Sequence, residues 1–185
     1  MKKAILNISS IAAVAVVLLM AGCSGRAPET ATRMNATIGL DKGFMAPELA
    51  FPNPEGDTIA LSSLHGKLVL IDFWASWCLP CHIENPNLVK VYNTYKNRRF
   101  SNGNGFTIYS VSLDTKIDAW TDAIDRDGLL WENHVSDLKG WYSIPAAIYQ
   151  VSSIPFNLLI DGRGIIIAKN LRGVKLGETL ESLLK

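Results

Sequence analysis

Leu68-Val69-Leu70-Ile71-Asp72-Phe73-Trp74 is the stretch that most limits what this chain can fold into. Apolar residues stand at both odd and even positions, so a strand made from them has no face to give to water and must lie inside a sheet covered on both sides. Helical patterns flank it downstream, from Pro80 toward Tyr95 and from Ile117 to Ile124 with a stop near Gly128. Phe106 to Leu113 alternates apolar and polar residues and reads as a second strand, after a polar loop from Asn97 to Gly105. Phe156 to Ile160, the turn residues Asp161-Gly162-Arg163-Gly164 and Ile165 to Ala168 form a hairpin pattern. A short helix from Gly177 to Leu184 closes the chain. Upstream, prolines between Phe44 and Asn53, a turn at Glu55-Gly56-Asp57 and a strand pattern at Thr58 to Leu61 predict an N-terminal hairpin. Strands alternating with helices, followed by a late hairpin, predict an α/β domain with a mixed sheet.

That domain is expected over residues 44–185. Before it, Lys2 and Lys3 precede an unbroken apolar run from Ile11 to Met20, and the small residues Ala21 and Gly22 follow. This order is that of a secretory signal, expected over residues 1–22. The run is far short of the ~20 residues of a spanning helix. Met20-Ala21-Gly22-Cys23 resembles the lipobox of bacterial lipoproteins, with Met20 where Leu is usual. The resemblance implies that Cys23 carries a lipid and that residues 23–43 tether a domain facing the periplasm to either membrane. Ordinary signal cleavage, leaving Cys23 a free thiol, is the alternative. Hydrophobic residues are 48% of the chain and charged ones 19%, a globular balance. A net charge of +1 gives no basic surplus for nucleic acid.

Of the three cysteines, Cys23 is assigned to the lipid, which leaves Cys78 and Cys81. A loop that short is a poor structural staple, because loop-closure stabilisation grows with loop length. Chemistry is the better reading. Trp77-Cys78-Leu79-Pro80-Cys81 follows the buried strand and opens a helix, where unpaired backbone N–H groups and the helix dipole favour a thiolate. Cys78 is expected to be the exposed nucleophile and Cys81 the thiol that resolves the mixed disulfide. Pro80 stiffens the unit. Trp77, beside Cys78, is a candidate for the substrate surface, whereas Trp74, Trp120, Trp131 and Trp141 read as core or half-buried packing.

Gly66 through Cys78, with Glu84-Asn85-Pro86 and Ile154-Pro155, resembles the thioredoxin-like family of membrane-tethered periplasmic reductases that includes the TlpA, ResA and CcmG proteins. The resemblance covers essentially all of Phe44 to Lys185. It implies a thioredoxin-like fold with an inserted element before a cis-Pro loop and a membrane thiol carrier as electron donor. The expected clients are protein disulfides, of apocytochrome c or of a broader misoxidised set, and no cofactor or metal is expected. The residues alone leave the Ile154–Pro155 bond open between cis and trans; the resemblance implies cis, with the Ile154 backbone free to pair with an extended substrate. Glu84 lies one helical turn past Cys81 and is the first candidate to take the Cys81 proton. Asp72, inside the apolar strand, is the second, since an unpaired buried charge is costly and buried acids have raised pKa values. It matches the buried Asp of plain thioredoxins, where relatives close to ResA often carry Asn. A solvated Glu84 and a merely structural Asp72 are the alternatives.

Other classes compete. Cys78-Leu79-Pro80-Cys81-His82 fits the c-type haem attachment pattern, but the buried strand and Ile154-Pro155 have no role there. On the disulfide reading His82 is an ordinary helix residue or a modest tuner of Cys78. His65 and His134 have no evident partner and read as solvated or as satisfied structural histidines. A zinc site needs four ligands, which only scattered histidines can complete. Peroxidases of the peroxiredoxin type carry Thr or Ser three residues before the reactive Cys, where this chain has Ala75. A noncatalytic binding lipoprotein would not need a CxxC at a helix start. Leu79 offers no charge or donor to stabilise a Cys78 thiolate, which points to a reductant.

Overall fold

The computed structural model describes residues 37–185. The export segment, Cys23 and most of the expected tether therefore lie outside the described residues. The domain begins before the expected boundary at residue 44. Gly39 N donates to Met45 O at 3.0 Å and Gly43 N to Ile166 O at 2.8 Å, so the last residues of the expected tether are hydrogen-bonded into the domain. Among the described residues no helix is long and apolar enough to cross a membrane.

The elements run β1 (Ala50–Pro52), β2 (Thr58–Ala60), β3 (Leu68–Trp74), α1 (Leu79–Tyr95), β4 (Arg99–Phe100), β5 (Gly103–Asn104), β6 (Phe106–Ser112), α2 (Ile117–Asp127), β7 (His134–Val135), α3 (Ile144–Ile148), β8 (Phe156–Ile160), β9 (Ile166–Lys169) and α4 (Val174–Ser182). The central sheet has the order β7-β6-β3-β8-β9. β3 pairs parallel with β6 and antiparallel with β8, and β9 returns antiparallel beside β8. The fold is thus a thioredoxin-like mixed α/β sheet with β3 at its centre and all seven β3 residues buried. β1 and β2 form the expected N-terminal hairpin, tied to the body by Tyr109, whose hydroxyl donates to Ile59 O at 2.9 Å. Tyr149 donates likewise to Pro47 O at 2.6 Å.

β6 differs from its pattern. Its alternation suggests a half-buried strand, yet all seven residues are buried. Its polar residues find partners instead of solvent: Trp131 Nε1 donates to Ser110 Oγ at 2.9 Å and Asn133 Nδ2 to Thr107 Oγ1 at 2.9 Å. The polar loop before it also holds structure, the small ladder β4–β5. There Gly103 passes so close to β3 that a Cβ would lie 2.4 Å from Leu68 Cδ1. The closing helix starts three residues earlier than the sequence indicates, at Val174. Between β6 and β8 the chain inserts α2, β7, a 3-10 turn at Gly140–Tyr142 and α3.

Candidate active site

β3 and β6 end side by side, with Trp74 opposite Ser112. The chain leaving β3 turns into α1, and Cys78 is the N-cap residue. Its Sγ accepts from Cys81 N at 3.2 Å, and its carbonyl accepts from the N–H groups of Cys81 and His82 at 3.0 and 3.2 Å. Leu79 and Pro80 occupy the first helical positions, where a missing proline N–H costs nothing. Cys78 and Cys81 are joined, with Cα atoms 5.2 Å apart. Cys78 is not the exposed residue the sequence leads one to expect. It is 4% accessible and Cys81 1%, because the start of α1 tucks into the hydrophobic core. Cys78 is still the more accessible residue of the two.

The loop carrying Trp77 is fixed by a residue the sequence does not single out. Asp114 is buried, and its carboxylate accepts from Ser76 N at 3.0 Å, Ser76 Oγ at 2.5 Å and Ser112 Oγ at 2.6 Å. Removing it strands three donors around a buried site. Asp114→Ala is expected to destabilise the oxidised protein by about 3–5 kcal/mol in urea unfolding. A change below about 1 kcal/mol would mean that solvent replaces the carboxylate freely.

His82 is not an ordinary solvated helix residue. Its Nδ1 pairs with Asp127 Oδ2 at the end of α2, and its Nε2 lies 2.8 Å from the Ser76 carbonyl. Asn85 Nδ2 donates to the same Asp127 oxygen at 2.6 Å, and Arg126 Nε reaches Oδ1 at 3.2 Å. Burial alone would raise the Asp127 pKa, but the bonds from His82, Asn85 and Arg126 outweigh it and hold it below the usual carboxylate range. The first turn of α1 is thereby locked to α2. His134 has the structural role expected of it: it is buried, stacks on Trp131 and approaches Leu129 O at 3.2 Å. Burial pulls its pKa down to about 4.

The two candidate acids occupy different settings. Asp72 is buried in mid-β3, opposite Ser110 and Asn157. Burial, with the Glu84 carboxylate second and partly offset by Arg172, pushes its pKa up to about 7. Glu84 is half-buried, and its Oε1 accepts from Gly173 N at 2.8 Å and Asn87 Nδ2 at 2.7 Å. Asn157 sets the loop that faces both acids: Leu171 N donates to its Oδ1 and its Nδ2 donates to Leu171 O, each at 2.8 Å. This places Arg172, whose Nη2 donates to Pro155 O, and Gly173. Neither Arg172 nor Asn157 carries a sequence signal of its own. The Ile154–Pro155 bond is cis. Among the described residues the Ile154 backbone has no hydrogen-bond partner.

Trp77 is 53% exposed, as a surface role requires. Trp141, expected as packing, is 51% exposed and stands against Trp77 with ring centroids 6.0 Å apart.

Comparison with known proteins agrees with this arrangement. Residues 43–171 match the AhpC/TSA family. The chain is 31% identical over 143 residues to the thiol-disulfide oxidoreductase ResA of Bacillus thuringiensis (strain Al Hakam), covering 77% of this chain and 76% of that one. It is 30% identical over 129 residues to the thioredoxin-like protein YneN of Bacillus subtilis (strain 168), covering 70% of this chain and 71% of that one. The crystal structure of the thioredoxin domain of a thiol-disulfide oxidoreductase from Bacteroides vulgatus superposes with a TM-score of 0.70 at 35% identity, covering 80% of this chain and all of that one. With a Cys-x-x-Cys disulfide capping α1 and these relatives, the chain belongs to the AhpC/TSA family, among its thioredoxin-like thiol-disulfide oxidoreductases.

Proposed function

We propose that the protein is an extracytoplasmic reductase of protein disulfides, held at a membrane by lipid on Cys23 and resupplied by a membrane thiol carrier. The observation that carries the reading is the Cys78–Cys81 pair at the start of α1, with the acid Asp72 buried in the adjoining strand. The reduced pair acts in two steps. The Cys78 thiolate attacks one sulfur of the client disulfide and expels the other as a thiolate. Cys81, once deprotonated, attacks Cys78 Sγ and expels the client's remaining thiolate. The client has gained two electrons, and the Cys78–Cys81 disulfide has formed. A dithiol carrier then reverses that disulfide. The Ile154 backbone pairs with the client chain, and Trp77 contacts it. Apocytochrome c, whose cysteines must be reduced before haem attachment, is a fitting client.

Cys81→Ser tests the mechanism. It should accumulate mixed disulfides on Cys78 in intact cells, identifiable by mass spectrometry, while Cys78→Ser accumulates none. Thiol alkylation of the wild type in the same cells should find the pair mainly reduced; a pair found oxidised assigns the opposite electron flow. Mass spectrometry of the mature N-terminus reads the anchor, and an unmodified Cys23 removes it. A Soret band on protein made alongside cytochrome maturation machinery would instead give Cys78 and Cys81 to haem.

A further inference from the structure

We propose that Trp77, Trp141 and Tyr142 form an aromatic seat for a large apolar side chain, aromatic by preference, carried by the client next to its reacting cysteine. The inference rests on the reductase reading above and adds what the client must look like.

The three rings are exposed to an extent that aromatic side chains seldom are. Trp77 and Trp141 are 53% and 51% accessible, and Tyr142 is 90%. Together with Leu113, Thr115 and Lys139 they line a cavity of about 400 Å³. An exposed apolar patch bordering a reactive group marks a contact surface more often than a packing defect. The two tryptophans meet tilted by 51° and are not stacked face to face.

Their placement is built rather than incidental. One residue anchors both sides. The Asp114 carboxylate holds Ser76, the neighbour of Trp77, while the Asp114 carbonyl accepts from Gly140 N, the neighbour of Trp141, at 3.4 Å. Gly140 is buried with φ +59°, and a Cβ there would lie 3.0 Å from Thr115 Cγ2. A side chain at that point would take a left-handed backbone and press on Thr115, so glycine suits the turn that precedes Trp141.

The occupant follows from connectivity. Trp77 directly precedes Cys78, so the residues flanking a client cysteine bonded to Cys78, each about 3.3 Å along an extended chain, are within reach of the seat. Among the six lining residues named, only Lys139 carries a charge, so the centre favours apolar groups and the rim tolerates an acidic one. A second copy of this chain is the competing occupant.

The test uses the full-length reduced protein and two synthetic probes, the symmetric disulfides of Gly-Gly-Cys-Gly-Gly and Gly-Phe-Cys-Gly-Gly. Each second-order rate is divided by that of dithiothreitol with the same peptide, which removes intrinsic reactivity. The wild type should prefer the Phe peptide by about 5- to 10-fold. Trp141→Ala should bring that ratio to near 1, and Trp141→Phe should restore most of it, which separates a lost seat from a damaged fold. A wild-type ratio near 1, or a ratio that survives Trp141→Ala, overturns the seat. So does a wild-type dimer that Trp141→Ala dissociates without any peptide preference, which gives the patch to a second copy. A protein inert to both peptides overturns the reductase reading itself.

Discussion

Asp72→Asn should slow the release of a client from Cys78 by about 10²–10⁴-fold near pH 7. Release needs Cys81 as a thiolate. A free thiol ionises near ~8.5, and burial raises that value, so little Cys81 is reactive at neutral pH without a base. An ordinary carboxylate is too weak a base for the task. Asp72 is not ordinary: burial first, and the charge of Glu84 second, lift its pKa to about 7 against the pull of Arg172. A base whose pKa lies near the working pH is both available and strong. The sequence ranks Glu84 first because it lies one turn past Cys81. We put Asp72 first instead, because Glu84 Oε1 already accepts from Gly173 N and Asn87 Nδ2.

We therefore expect the two acids to separate in a pH profile. Asp72→Asn loses the base, and its deficit shrinks as pH rises and Cys81 ionises unaided. Glu84→Gln removes a negative charge that lifts Asp72, so its profile shifts toward acid with a smaller loss of maximal rate. The double change should exceed either. Stopped-flow release of a preformed mixed disulfide from pH 6 to 9 measures all three. Wild-type rates in Asp72→Asn would return Asp72 to a structural acid.

How far the site can be read from sequence depends on whether its parts are local. The disulfide, the start of α1 and the buried strand before it are contiguous, and their residue types announce them. β7 is two residues long and carries no period, so its place at the sheet edge is set by pairing with β6 alone. Asp114 is silent because it meets Ser76 from 38 positions away. A signal for it did exist. Asp114 lies two residues past Ser112 and Ser76 two past Trp74, and those strand ends are parallel partners. Strand register would have brought the two together. Arg172 and Gly173 depend on Asn157 turning its amide onto Leu171, which no local pattern encodes. Trp141 reads as packing because a lone tryptophan usually is packing, and only Gly140 beside it hints at a turned-out ring.

Asp72→Asn should also stabilise the oxidised protein, and the gain should grow with pH. The Asp72 pKa rises from 3.8 to about 7 on folding, so between those values the native state binds more protons than the unfolded chain. Stability then falls as pH rises through that window, and above it the full cost of an ionised buried acid is in place, on the order of 4 kcal/mol. The amide of Asn never ionises, so the variant escapes this term whatever its own desolvation costs. His134 has the opposite sign. Its pKa falls from 6.5 to about 4 on folding, so the unfolded chain binds more protons between those values and stability rises with pH, by about 3 kcal/mol. In the wild type the two terms largely cancel from pH 4 to 6.5. In Asp72→Asn the His134 term stands alone. Urea unfolding with the disulfide intact should therefore show the variant gaining stability between pH 4 and 6.5, while the wild type stays comparatively flat and then falls behind by pH 8. Parallel curves for the two proteins across pH 4 to 8 would mean that Asp72 ionises in the native state as freely as in the unfolded chain.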